Sequence, residues 1–231
     1  MQKPALTGAH LRTPKAAAVA GIIFSVLLII FFFLFRSAVP ADPFESGAWL
    51  GGSSRNAALA LNLIPFAGVA FLWFIGSVRD RLGQLEDRFF ATVFFGSALL
   101  FLAMLFSAAA AMGAVLVSLP SKSFDSASLQ LVRTFAYIVM NTYAVKMAAV
   151  FMISTSTVIV FTRIVPRSIA ILGFALALVL LFGSGYIAWS FIVLPFWVLL
   201  VSAFIIIDNF WRGGNDALEE ARGRSGRRKH R

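Results

Sequence analysis

The chain has 231 residues, 60% of them hydrophobic and only 13% charged, with a mean hydropathy of +0.88; soluble domains run near half apolar and a quarter charged, so a water-soluble fold could not hide this surface. A net charge of +10 would raise nucleic acid as a partner in a soluble protein, but here the cations sit in short loops and at the ends of apolar blocks, with no basic stripe of interleaved aromatics, so no nucleic-acid partner is expected. With no cysteine there is no disulfide, thiolate or cysteine metal chemistry, and the two histidines, His10 and His230, lie in opposite tails, which excludes a bis-histidine haem within a bundle and leaves no expected cofactor or metal.

The apolar residues come in long blocks. They predict an all-α polytopic transmembrane bundle of six spans, at about 16–35, 57–78, 89–119, 128–162, 168–183 and 186–207, between tails over 1–15 and 208–231. Ala16 to Phe35 is about 20 apolar residues, enough for the ~30 Å hydrocarbon core at ~1.5 Å per residue. Val39-Pro40-Ala41 offers a possible peptidase site, but the run is long for a signal peptide, Arg36 closes it and a proline precedes the cut, so an uncleaved span is expected. The segment from Ser37 to Asn56 is rich in Pro, Gly and Ser and reads as a loop, with Trp49 as an interfacial anchor.

The second block holds Asn62 and Pro65, and Pro65 predicts a kink. The mixed-charge turn Arg79 to Arg88 reads as a solvated connection, with docking of a cytoplasmic partner as the rarer alternative. In the third block Ala103, Ser107 and Ala111, flanked by Ala110, Ala114 and Ser118, form a small-residue face suited to close helix packing. With the fourth block it predicts a long hairpin. The apolar stretch from Ser168 to Ile207 is twice the membrane thickness and must fold back, most credibly at Gly183-Ser184-Gly185, with Pro195 in the middle of the sixth span. Trp189, Trp197 and Trp211 suit interface or packing roles.

If the loops alternate across six spans, fifteen of the 20 Lys and Arg fall on one side, and Arg36, Arg55, Lys122 and Arg133 on the other. The positive-inside rule makes the richer side cytoplasmic and places both termini there.

Lys146 falls inside the fourth span, near its midpoint. Such a group costs at least ~2.5 to 3.5 kcal/mol on insertion scales and usually faces the bundle interior or water. With Asn141, Thr142 and Asn62 it makes a candidate intramembrane polar site. One reading gives Lys146 a substrate, anion or proton-coupling role; the other makes it a structural donor to carbonyls freed by Pro65 or Pro195. The run Ser154-Thr155-Ser156-Thr157 reads more readily as hydroxyls bonding their own backbone. In the tail, Arg227, Arg228, Lys229 and Arg231 form a candidate site for anionic lipid headgroups, or simply fix topology. Glu219-Glu220-Ala221-Arg222-Gly223-Arg224 matches an intramembrane-protease pattern, but lies beyond the last span and lacks the histidines that site needs. No catalytic residues are assigned.

The stretches Arg12-Thr13-Pro14-Lys15 into Ala16 to Ile30, and Asn62-Leu63-Ile64-Pro65-Phe66-Ala67-Gly68 through Arg79-Asp80-Arg81-Leu82-Gly83 to Arg88-Phe89-Phe90, resemble a family of uncharacterised bacterial multi-spanning integral membrane proteins. The resemblance covers most of the first half of the chain and fades in the second. It implies a bacterial plasma-membrane bundle and no particular activity. Two function classes follow from the residues. One is a non-enzymatic membrane module, a subunit or scaffold that packs by small-residue faces against a membrane-protein partner or a second copy. The other is a small transporter or channel whose path passes Lys146 and Asn141, a reading that inverted repeats would support; none is evident.

Overall fold

The computed structural model of the chain describes residues 13–39, 54–82, 88–118, 125–162, 166–184 and 189–208. Among these every regular element is helical: α1 Thr13–Ala38, α2 Ser54–Leu82, α3 Arg88–Ser118, α4 Ser126–Ile138, a π-helical turn Val139–Ala144, α5 Val145–Thr162 and α6 Arg167–Gly183. A short 3-10 turn, Ser190–Ile192, then leads into α7 over 193–208. Five stretches are long and apolar enough to cross a membrane: Ala16–Ala38, Arg55–Arg79, Phe90–Ser118, Ala127–Phe161 and Ser190–Asp208. α6 is equally apolar but shorter, at 17 residues, or ~25 Å of helix.

The termini of these helices follow from local chemistry. Pro14 sits in the first turn of α1, where a missing N–H removes nothing the helix would use. Asp125 caps α4, its carboxylate accepting from the Ser128 backbone N–H at 3.1 Å. Pro166, in an extended conformation, precedes α6, and its carbonyl accepts from the Ile169 N–H at 3.0 Å. α6 stops at Gly183, where the sequence places its break. Pro195 is not the mid-span interruption expected. α7 starts late, so Pro195 falls in its first turn, where proline is compatible with the helix. Pro65 lies well inside α2, which runs on through it as one helix.

Because lipid is as apolar as the bundle interior, the helices show little polarity difference between faces, and association rests on shape and van der Waals packing. In α1 the exposed positions Val19, Ile23, Ile30 and Phe33 are as apolar as the buried Ala20, Phe24, Leu28 and Phe31. α1 and α2 pair extensively as an antiparallel contact, with Gly21 close against the Phe74 ring and Phe24 on Phe71. At the middle sits Phe71, whose ring packs on Phe24 (4.5 Å between centroids), Phe101 (5.5 Å) and Phe151 (5.2 Å), joining α1, α2, α3 and α5. Gly173 lets α6 approach Ser156 of α5 and the Trp197 indole of α7 closely. A second, smaller cluster lies where α1 ends, α2 begins and α4 passes into the π turn, built from Ala38, Val39, Ala57, Ala108, Met112, Ala136 and Val139.

The small-residue face expected on α3 behaves differently. Ala103, Ser107, Ala110 and Ala114 are exposed, whereas Leu105, Ala108, Met112 and Val115 turn into the bundle. The Ser107 hydroxyl donates to the Ala103 carbonyl at 2.7 Å.

Candidate functional site

Beside the smaller cluster the helices leave a cavity of about 140 Å³. α1 lines it with Phe31, Phe32, Phe35 and Arg36, α2 with Leu61, and the 3-10 turn before α7 with Phe191. α3 and α4 contribute Ala108, Ala109 and Ala136 together with the larger Leu105, Met112 and Tyr137. Phe191 rests against Phe31 (6.4 Å) and Phe32 (6.3 Å), which holds the aromatic wall in place.

Two guanidinium groups and one amide give the cavity its polarity. Arg133, in the second turn of α4, is 8% exposed. It lies on one helical face with Ala136, Tyr137, Met140 and Asn141, all of which reach the cavity. Arg36 is half-buried in the last turn of α1, where a cation is favoured by the helix dipole. The Asn141 Nδ2 donates to the Tyr137 carbonyl at 3.1 Å, which leaves its Oδ1 as an acceptor. Both arginines line the cavity and, among the described residues, no carboxylate does. The arrangement combines an aromatic wall with a polar end in one cavity.

The π turn keeps this face in register with the core below it. Ala136, Met140, Ala144, Ala148 and Met152 recur every four residues, and all five pack against the two apolar clusters. In a pure α-helix each such step drifts by ~40° around the axis, since the repeat is 3.6 residues. The wider turn over Val139–Ala144 takes up much of that drift. The upper part of the long helix can therefore face the cavity while its lower part faces Phe71.

Of the residues singled out in the sequence, only Asn141 reaches the cavity. Thr142 and Lys146 are half-buried one turn and less beyond it on the same long helix, and Asn62 is exposed on the outer side of α2. Three hydroxyls of the Ser/Thr run donate to their own helix: Ser154 to Val150 (3.0 Å), Thr155 to Phe151 (2.8 Å) and Thr157 to Ile153 (2.9 Å). Trp197 is fully buried against α6, while Trp189 is half exposed with its ring on Phe32 at 5.2 Å. The tail cations Arg227, Arg228, Lys229 and Arg231, and Trp49 and Trp211, lie outside the described residues.

Sequence reasoning used Arg36 and Arg133 only as topology markers and missed them as site residues. One signal pointed to Arg133: it, Tyr137 and Asn141 are spaced by four, the spacing of one helical face. No family model, no characterised protein and no solved structure matches the chain, so the bundle and its cavity are the only footing for a functional reading.

Proposed function

We propose that this protein is a non-enzymatic binding module of the membrane, which holds a small amphipathic molecule in the cavity between α1, α3 and α4. The observation that carries this is the cavity itself, with aromatic walls and a polar end, the usual construction of a small-molecule site. The chain crosses the membrane six times, with α6 as a short span whose ~25 Å a slightly thinned bilayer accommodates. The excess of cations on the other side of the bundle puts both termini in the cytoplasm and the cavity in the outer half. The setting is the plasma membrane of a bacterium, as the first half of the chain suggests by its resemblance. A non-enzymatic role is consistent with a chain that has no cysteine and carries its histidines only in the tails. The basic tail holds anionic lipid headgroups at the cytoplasmic face, and the exposed small-residue stripe of α3 offers a surface for a membrane partner or second copy.

A transport path past Lys146 and Asn141 is the competing reading. It draws on Asn141 in the cavity and the half-buried cation just beyond. Against it, Lys146 is not among the lining residues, so the cavity ends short of the lysine. In vesicles, Lys146→Met is expected to leave folding and ligand binding intact; selective loss of flux in that variant would favour transport.

The test of the binding reading uses a neutral apolar probe, benzyl alcohol, with the full chain in zwitterionic lipid nanodiscs. Saturation-transfer NMR is expected to show saturable binding to the native chain and at least tenfold weaker binding to Ala108→Phe, which fills the cavity. Equal behaviour of the two proteins, both folded by circular dichroism, would remove the cavity as a binding site.

A further inference from the structure

We infer that Lys146 is the docking point for a partner transmembrane helix that carries an aspartate or glutamate at the same depth, the two side chains forming an ion pair across the interface. This goes beyond the cavity reading and does not rest on it, since Lys146 is not among the residues that line the cavity. Depth comes first. The Phe71 ring packs on both Phe24 and Phe151, so the three mark one level of the bundle. From that level Arg36 lies ~18 Å along α1, and Arg79 ~12 Å along α2 in the opposite direction, at ~1.5 Å per residue. Lys146 stands on the Arg36 side of Phe151 and close to it in the same helix. That puts it ~10 Å inside the level of Arg36 and ~20 Å from that of Arg79, well within a ~30 Å hydrocarbon core.

Charge comes second. Of the chain's ten Asp and Glu residues, nine lie outside the apolar helical segments, and Asp208 closes the last segment at the end remote from Phe191 and the cavity. The chain therefore supplies no carboxylate at the depth of Lys146. A cation in hydrocarbon is costly, and such residues pair with an opposite charge or turn to water. Lys146 is only half-buried, and Tyr143, one turn earlier on the same face, is 55% exposed, so this side of the helix looks outward to lipid. Thr142 adds a hydroxyl one turn from the lysine, and the half-buried Met147 and Val150 continue the stripe, the thioether adapting readily to a facing surface. A soluble anion would have to leave water to reach this face, and a lipid phosphate belongs at the membrane surface. A carboxylate built into a partner helix arrives with its apolar flanks already in lipid. A second copy of the chain brings no acid to this depth, so the partner is a different protein.

The experiment uses the full chain, labelled with a donor fluorophore at its C terminus, in phosphatidylcholine vesicles with acceptor-labelled transmembrane peptides. Each peptide is a Leu/Ala helix of about 21 residues, with Asp, Asn or Leu at its centre. Energy transfer is expected to show the Asp peptide associating at least tenfold more tightly than the Leu peptide and at least threefold more tightly than the Asn peptide. Lys146→Met is expected to abolish that preference, and Lys146→Arg, which restores the charge, to keep it. Where Lys146→Met does not fold, Lys146→Gln carries the same comparison. Equal association of the Asp and Leu peptides with the native chain would overturn the inference and leave Lys146 to the lipid headgroups. Equal association of the Asp and Asn peptides would overturn it in favour of a neutral hydrogen bond. A preference for Asp that survives in a folded Lys146→Met or Lys146→Gln would overturn the assignment of the lysine.

Discussion

The two apolar clusters of this bundle make an instructive pair. Around Phe71, rings from α1, α2, α3 and α5 interlock, and Phe94 extends the group through Phe151 at 5.2 Å. The second cluster, beside the cavity, is built from the smaller Ala38, Val39, Ala57, Ala108, Met112, Ala136 and Val139. Both come from blocks of similar hydropathy. What separates them is side-chain size, which decides whether facing helices interdigitate or leave space. In water, an apolar cavity wall would still be driven inward by the hydrophobic effect. In lipid that drive is nearly absent, so dispersion and shape alone hold the bundle, and a gap of this size survives only where the rest is tightly packed.

This comparison can be broken most severely at the ring cluster. Phe71→Ala removes the ring on which three others rest. The full loss seen in soluble cores, ~3 to 5 kcal/mol, includes a transfer term that a bilayer does not supply, so about 2 to 3 kcal/mol is expected here. Steric trapping or SDS titration in bicelles measures it, and a loss below about 1 kcal/mol would mean the rings are not the packing centre. A smaller effect tests the close approach of α6. The Cβ added in Gly173→Ala would meet the Ser156 hydroxyl and the Trp197 indole, whereas in Gly96→Ala it meets open space. The first should destabilise by about 1 to 2 kcal/mol, and the second should be neutral or slightly stabilising in the same titration.

The smallest effect sits where α4 starts, about two helical turns before Arg133. The Ser128 hydroxyl, and then its backbone N–H, hold the Asp125 carboxyl below its ordinary value. A lowered folded pKa means the cap contributes above the unfolded value and is lost as pH falls through the folded one. Hydrogen exchange in the first turn of α4 should therefore quicken only at acid pH, and Asp125→Asn should flatten that response. An unchanged profile in the variant would show that the cap does not govern this end.

Much of the fold is legible in the sequence. The 128–162 block anticipates the continuous helix from Ser126 to Thr162 closely, and the block over 89–119 matches α3, Arg88–Ser118, to within a residue at each end. The break at Gly183 was legible because an apolar run of twice the membrane thickness has to turn somewhere. Pro195 misled because its effect depends on where the helix starts, and Trp189 and the 3-10 turn set that start. Asn141 was legible as polar, whereas its presence at the cavity depended on the rotation of α4. The stripe from Ala103 to Ala114 shows the opposite failure: small spacing marks a face able to pack, without saying against what.

The sequence by itself determined the membrane character and the helical class, because transfer into lipid and backbone satisfaction are sums over consecutive residues. Only the tertiary structure decided which faces turn inward, since in a bundle apolar on all sides polarity does not orient a helix. The cavity lies where α3 and α4 meet rings of α1 and of the 3-10 turn before α7, and Arg36 and Arg133, almost a hundred positions apart in the chain, share it because helix packing brings their two helices together.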